Sequence, residues 1–101
     1  MDVGTFEQLC WSGRNQELLE FRDGPDSLRA MEFVEQASSS MAQFMALAVL
    51  QHGLMTRPSA IPEALDRLFK LMSQPQAMKT PPTSVVFSKL LQVCEYPSSP
   101  Y

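Results

Sequence analysis

Few side chains in this chain could do catalytic or metal chemistry: one histidine, His52, and two cysteines, Cys10 and Cys94. A zinc site built from protein side chains needs three or four ligands at suitable spacing, which one histidine and two distant cysteines do not supply. A thiol nucleophile would need a cysteine to meet His52 in an electropositive cleft, and nothing in the sequence indicates such a setting. We therefore expect no catalytic residues and no metal site. Buried free thiols are the favoured interpretation of the two cysteines, and a disulfide between the first and last helices is the alternative.

The sequence also lacks the patterns that bind phosphate groups. It contains no GxGxxG or Walker loop, and no glycine follows Gly53. The net charge is −3, so nucleic acid is not favoured as the main ligand. Four bases of the second half could form a modest patch, namely Arg67, Lys70, Lys79 and Lys89, but no reading helix is recognisable. We expect no cofactor.

An uncharged stretch lies between Glu35 and Arg57, and its part from Met41 to Met55 is mostly apolar. A helix that is apolar on nearly every side must be buried from several directions. The stretch has about the length of a membrane span, roughly 20 residues, but polar residues interrupt it. They include Gln36, Gln43, Gln51, His52 and a run of three serines. We therefore expect a buried core helix, no membrane span and, since Met1 is not followed by a signal-peptide pattern, a soluble cytoplasmic protein.

The boundaries of this helix follow from local signals. Ser40 and Gln43 fit a capping box, and Gly53 fits a helix end, which together predict a central helix over residues 41–52. A single long helix over residues 27–52 is the alternative, and two helices, or one bent at the serines, are slightly preferred. Near the amino terminus, Thr5 and Gln8 form another capping box, and Gly13 predicts a break.

Apolar periodicity predicts the remaining helices, over residues 6–12, 15–22, 27–36, 61–72 and 84–94. The clearest stripe recurs at i, i+4, i+7, i+8 and i+11 and consists of Ile61, Leu65, Leu68, Phe69 and Met72. Two acid-before-base pairs at i,i+4 accompany it: Glu63 with Arg67, and Asp66 with Lys70. The predicted fold is all-α, a compact bundle of four to six short helices around the central helix, with proline-rich connectors. Residues 1–96 form the single domain and residues 97–101 a flexible tail.

Because the sequence shows no catalytic, metal-binding or phosphate-binding pattern, we expect its function to depend on apolar surface. The chain has seven methionines, which either fill the core or line a groove for a partner helix. Trp11 is either a lid on the core or an interface anchor. The candidate interface residues are Trp11, Met41, Phe44, Met45, Leu68, Phe69 and Met72.

The leading hypothesis is a non-enzymatic protein–protein interaction module, such as an adaptor, a chaperone-like protein or a small regulatory subunit. Its expected partner is another protein, itself as a homodimer, or both, because charged residues make up only 19% of the chain and leave room for apolar patches. One alternative is a helical domain that binds a small ligand or lipid in a cavity lined by methionine and phenylalanine. A second alternative is a weak nucleic-acid-binding regulator.

Overall fold

Glycine and serine residues divide the chain into short helices. The computed structural model describes residues 1–74, apart from the Met72 side chain. Within these residues the α-helices are α1 (Val3–Ser12), α2 (Asn15–Asp23), α3 (Ala30–Gln36), α4 (Ser40–Thr56) and α5 (Ile61–Met72). Short 3-10 turns at Ser27–Arg29 and Pro58–Ala60 precede α3 and α5. No β-strand occurs in this part of the chain, and the all-α prediction is confirmed.

Several predictions fall on residues that the structure does not describe. These are the helix over residues 84–94, the tail over residues 97–101 and the pairing state of Cys94. The end of the predicted domain at residue 96 also lies outside the described residues.

The amino-terminal helix begins earlier than its capping box predicted. Asp2 is the N-cap of α1, and its carboxylate accepts a hydrogen bond of 2.8 Å from the Thr5 amide. That bond lowers the pKa of Asp2. The predicted start at Thr5 is therefore wrong, because an aspartate three residues upstream satisfies the free amides first. The break at Gly13 is confirmed: this residue has a φ of 69°, a left-handed conformation in which glycine ends a helix without strain.

The serine run separates α3 from α4, so the preferred interpretation with two helices is correct. The cap is Ser39 rather than Ser40, since the Ser39 hydroxyl accepts a hydrogen bond of 3.2 Å from the Ala42 amide. Gln43, the other half of the predicted capping box, is completely buried. Its Nε2 atom donates 3.1 Å to the Val34 carbonyl of α3. The predicted box is wrong because this glutamine satisfies an acceptor of the neighbouring helix instead.

Glu7 of α1 fixes the linker between α3 and α4. Its carboxylate accepts hydrogen bonds from the Ser38 amide at 3.3 Å, from the Ser38 hydroxyl at 2.7 Å and from the Ser39 hydroxyl at 3.4 Å. These bonds join residues that are about 30 positions apart in sequence. They therefore position the start of α4 relative to α1.

Gly53 does not end α4, which continues to Thr56. A Cβ atom at this buried position would lie 3.0 Å from Ser27 Oγ and 3.1 Å from Leu28 Cδ2. The glycine thus allows the 3-10 turn before α3 to approach the helix closely. The predicted end is wrong because this glycine allows close packing and does not end the helix.

The core lies where α4 packs against α1, α2 and α3. Three aromatic rings join the first three helices: the centroid of Phe6 lies 4.9 Å from that of Phe33 and 6.0 Å from that of Phe21. Helix α4 contributes to the same core a buried set of Ala46, Leu47, Val49, Leu50 and Leu54.

Helix α5 has the predicted bounds, but its buried face is rotated from the predicted stripe. The residues that enter the core are Ile61, Ala64, Leu68 and Leu71. Arg67, which was predicted to pair with Glu63, instead forms two hydrogen bonds with Glu35 of α3, one from Nε to Oε2 at 3.1 Å and one from Nη2 to Oε1. The bonds to Glu35 raise the pKa of Arg67. The predicted pair of Asp66 and Lys70 is confirmed at 3.0 Å.

The assignment of the α4 cap is testable by alanine substitution. Ser39→Ala should lower the free energy of unfolding by about 1 kcal/mol, because it removes the acceptor of the Ala42 amide. Ser40→Ala, which changes an exposed neighbour, should have a much smaller effect. Urea denaturation followed by circular dichroism measures both. Equal losses for the two variants would contradict the assignment.

Candidate functional site

A groove of about 560 Å³ lies between α2 and α4. We call it the α2–α4 groove, and the described residues that line it are Asn15, Leu18, Leu19, Arg22, Met45, Ala48, Val49, Gln51, His52 and Met55. Its volume is within the range of ligand pockets, roughly 300–1,000 Å³. The middle of the groove is apolar, and the charged and imidazole side chains are near one end.

Helix α4 has no aspartate, glutamate, lysine or arginine, so apolar and uncharged polar residues occupy its solvent side. Phe44, Ala48, Gln51 and Met55 follow each other at i, i+4, i+7 and i+11, a spacing that puts them on one face. We call them the exposed row of α4. The exposed fractions of Phe44 and Met55 are 43% and 58%, and Ala48 is also exposed. Gln51, the polar member of the row, is half-buried. The side chains of this row that residues 1–74 leave exposed are therefore those of Phe44, Ala48 and Met55.

The wall opposite α4 is the face of α2 that bears Leu18 and Leu19. Leu18 is buried, whereas Leu19 is 43% exposed. Adjacent residues on a helix are about 100° apart, so both leucines cannot face the core. The second leucine therefore becomes part of the groove edge.

The polar end of the groove is organised by Asp23. Its Oδ1 atom lies 3.0 Å from Arg22 Nε and 3.4 Å from His52 Nε2. The hydrogen bond from Arg22, with smaller contributions from the charges of Arg22 and His52, lowers the pKa of Asp23. The contact with His52 places the end of α2 beside the later turns of α4. Arg22 and His52 are therefore both in contact with Asp23, a carboxylate of the same chain.

The structure brings only part of the predicted interface set to this groove. Met45 lines it. Phe44 belongs to the exposed row of α4 but is not among the described lining, and Met41 is half-buried on the same helix. Trp11 is 68% exposed but lines a separate cleft at the junction of α1 and α2. The other residues of that cleft are Thr5, Gln8, Leu9, Ser12, Arg14 and Glu17.

The three predicted residues of α5 are elsewhere. Leu68 is completely buried in the core, whereas Phe69 is 54% exposed. The side chain of Met72 lies outside what the structure describes. None of these residues is among the described lining of the α2–α4 groove.

Sequence reasoning missed Leu19, Arg22 and Met55. Met55 lies beyond Gly53, the predicted end of the central helix, and was not among the candidate interface residues. A usable signal for Leu19 was present in the sequence, namely two adjacent leucines in a short helix. Arg22 has no comparable signal, since its position depends on how α2 packs.

Among residues 1–74 the thiol belongs to Cys10. Cys10 is half-buried, and its burial, followed by the charge of Glu7, raises the pKa of its thiol. Among residues 1–74, no three side chains of the metal-binding types converge. No helix in this part of the chain is both long and apolar enough to cross a membrane.

The chain matches no family model, no curated protein and no solved structure. Its function must therefore be inferred from its own geometry and chemistry.

The different positions of Leu68 and Phe69 predict opposite effects of the same substitution. Leu68→Asp should unfold the domain, because a carboxylate in a fully buried apolar site costs several kcal/mol, a large part of the stability of a small domain. Phe69→Asp should remain folded, since 54% of the residue at this position is exposed and it is not part of the buried core. Thermal unfolding monitored by circular dichroism distinguishes them. A folded Leu68→Asp protein would contradict this account of the core.

The raised pKa of Cys10 predicts slow alkylation. In a Cys94→Ser chain, whose only thiol is Cys10, iodoacetamide should react at pH 7 more slowly than with a free cysteine, because less of the thiol is ionised. The rate should rise with pH to a midpoint above that of free cysteine. Glu7→Gln should move this midpoint down, since it removes a nearby negative charge. Mass spectrometry of the alkylated protein gives the rates, and a midpoint at or below the free-cysteine value would refute the prediction.

Proposed function

We propose that this chain is a non-enzymatic interaction module that binds a helix of another protein in the α2–α4 groove. The observation that supports the proposal is the exposed row of α4, an apolar surface on the solvent side of a helix with no charge. When another protein covers large apolar side chains, their removal from water lowers the free energy by roughly 25 cal/mol per Å² of apolar area. A role as adaptor, chaperone-like protein or regulatory subunit in the cytoplasm belongs to the same proposal.

The shape and lining of the groove favour an amphipathic helix as the ligand. Helix-in-groove recognition inserts apolar residues at helical spacing between two helices, and α2 and α4 provide two such walls. Met45 and Met55 are unbranched and polarisable, so they adapt to side chains of different shape. Such adaptable lining suits a binding site.

Charge has a minor part in this recognition. Among the described lining residues, Arg22 bears the formal charge, and its guanidinium is hydrogen-bonded to Asp23. The ligand therefore needs apolar anchors and no acidic residue for this arginine. Binding should depend only weakly on salt.

A small apolar ligand is a second candidate occupant, and the volume of the groove favours it. Exposed walls at Leu19 and Met55 argue against it, because a carrier encloses most of its ligand. Mass spectrometry of the purified protein after denaturation would detect a released molecule at a stoichiometric amount.

The proposal predicts that charges in the groove abolish binding without unfolding the domain. Leu19→Glu and Met55→Glu change exposed side chains on the two walls and should each reduce recovery of partner proteins at least about tenfold, since a buried unpaired carboxylate costs more than 1.4 kcal/mol. Pull-down at native expression level with quantitative mass spectrometry measures the recovery.

Gln16→Glu is the matched control, because it adds the same charge to α2 at an exposed position outside the groove lining. It should retain all partners. Unchanged thermal unfolding verifies that the groove variants are folded. If both groove variants are folded and retain every partner of the control, the groove is not the binding site.

A further inference from the structure

We infer that residues 84–94 of the same chain occupy the α2–α4 groove when no partner is bound, so that a partner helix must displace them. The inference rests on the proposed function, since it adds a regulation of the same site. These residues lie outside the described part of the chain, and their apolar periodicity predicts a helix. Residues 75–83 connect this segment to the end of the described domain.

The predicted helix has an apolar stripe with two edges, and the groove has two walls. At about 100° per residue, Val86 and Leu90 form one edge of the stripe and Phe87 and Leu91 the other. Cys94 falls between the two edges. A helix seated between α2 and α4 can therefore bury one edge of its stripe against each wall.

The lining of the groove suits this stripe better than the other exposed surfaces do. Six of its ten lining residues are apolar, whereas the cleft at the junction of α1 and α2 is lined mainly by polar residues. On α5, Phe69 is exposed beside the ion pair of Asp66 with Lys70. Residues 84–94 contain no acidic residue, and their one formal charge, on Lys89, falls on the face opposite the stripe. No charge therefore has to enter the groove.

The connector is long enough to return the chain to the groove. Helix α5 follows Met55 after the short turn at Pro58–Ala60, so it begins near that end of the groove. It has 12 residues, a length of about 18 Å. Residues 75–83 include three prolines, and at the 3.1 Å per residue of an extended proline-rich linker they can span roughly 28 Å. This distance exceeds the length of α5, along which the chain must return.

The tether favours this occupant over a second copy or a free helix. A groove lined by adaptable apolar side chains accepts many apolar helices with similar affinity, so the concentration of each competitor decides which one binds. A short linker that can span the distance gives its segment an effective concentration on the order of millimolar. A partner helix therefore needs a higher intrinsic affinity than residues 84–94, and the segment acts as an inhibitor of its own groove.

Disulfide trapping in the full-length chain tests the inference, because Cys94 is a native probe within the segment. In a Cys10→Ser background, one further cysteine is added and the intrachain disulfide is followed in a glutathione redox buffer. The groove variants are Leu19→Cys, Met45→Cys and Met55→Cys, and the control outside the groove is Phe69→Cys. At least one groove variant should trap Cys94 at least about tenfold faster than the control. A segment that does not dock would instead favour the control, since Phe69 closes the shortest loop to Cys94.

Two substitutions in the segment separate docking from simple proximity. Leu90→Glu puts a carboxylate in the stripe and should slow trapping in the fastest groove variant at least about tenfold. Gln92→Glu adds the same charge on the opposite face and should leave the rate within about twofold. In the otherwise native chain, Leu90→Glu should raise the pull-down recovery of the partners that Met55→Glu loses at least about threefold, because the groove is no longer occupied. Gln92→Glu should leave that recovery unchanged.

Three results would overturn the inference: fastest trapping in the Phe69→Cys chain, disulfides only between two chains, or equal effects of Leu90→Glu and Gln92→Glu on trapping. The proposed function can be separated from these outcomes. If no groove variant traps Cys94 but Met55→Glu still loses a partner protein, the groove binds another protein and only the inhibition is wrong. If Cys94 is trapped in the groove but neither Met55→Glu nor Leu90→Glu changes any partner, the segment is a permanent part of the domain and the proposed function fails.

Discussion

Helix α4 imposes a constraint on the other described helices, because none of its 17 residues is an aspartate, glutamate, lysine or arginine. Such a helix gains stability only where neighbours exclude water from it. Three of them, α1, α2 and α3, pack against it, and their own core is joined by the ring cluster of Phe6, Phe21 and Phe33. The side that residues 1–74 leave open is the exposed row of α4. The candidate site and the core thus share one helix. Some side chains of α4 are buried in the core, and others line the groove or remain exposed.

Polar contacts between distant residues determine where the helices begin and how they face each other. Glu7 holds the serine linker, Gln43 satisfies a carbonyl of α3, and Arg67 joins α5 to Glu35. The bonds of Gln43 and Arg67 replace shorter-range interactions, with Ser40 and Glu63, that the sequence alone would favour. Apolar burial supplies most of the free energy in such a domain, and these few bonds select one arrangement of the helices.

The secondary structure was predictable to the extent that local signals decide it. The bounds of α5, the break at Gly13 and the separation of α3 from α4 follow from periodicity and glycine or serine positions. The cap at Ser39 and the passage of α4 through Gly53 depend on Glu7, Ser27 and Leu28, which are distant in sequence. For the site, Met45 and Phe44 were found from apolar patterning, whereas Leu19, Arg22 and Met55 depend on which faces of α2 and α4 remain uncovered.

The glycine inside α4 has a consequence for the groove as well as for the core. A helix-interior glycine is less favourable than alanine by about 1 kcal/mol, because its backbone retains more freedom when unfolded. Gly53 lies in the last turns of α4, two residues before Met55. Packing against the turn at Ser27–Arg29 and the burial of Leu54 offset this cost. The Met55 end of the groove wall therefore depends on contacts between distant residues for its helical conformation.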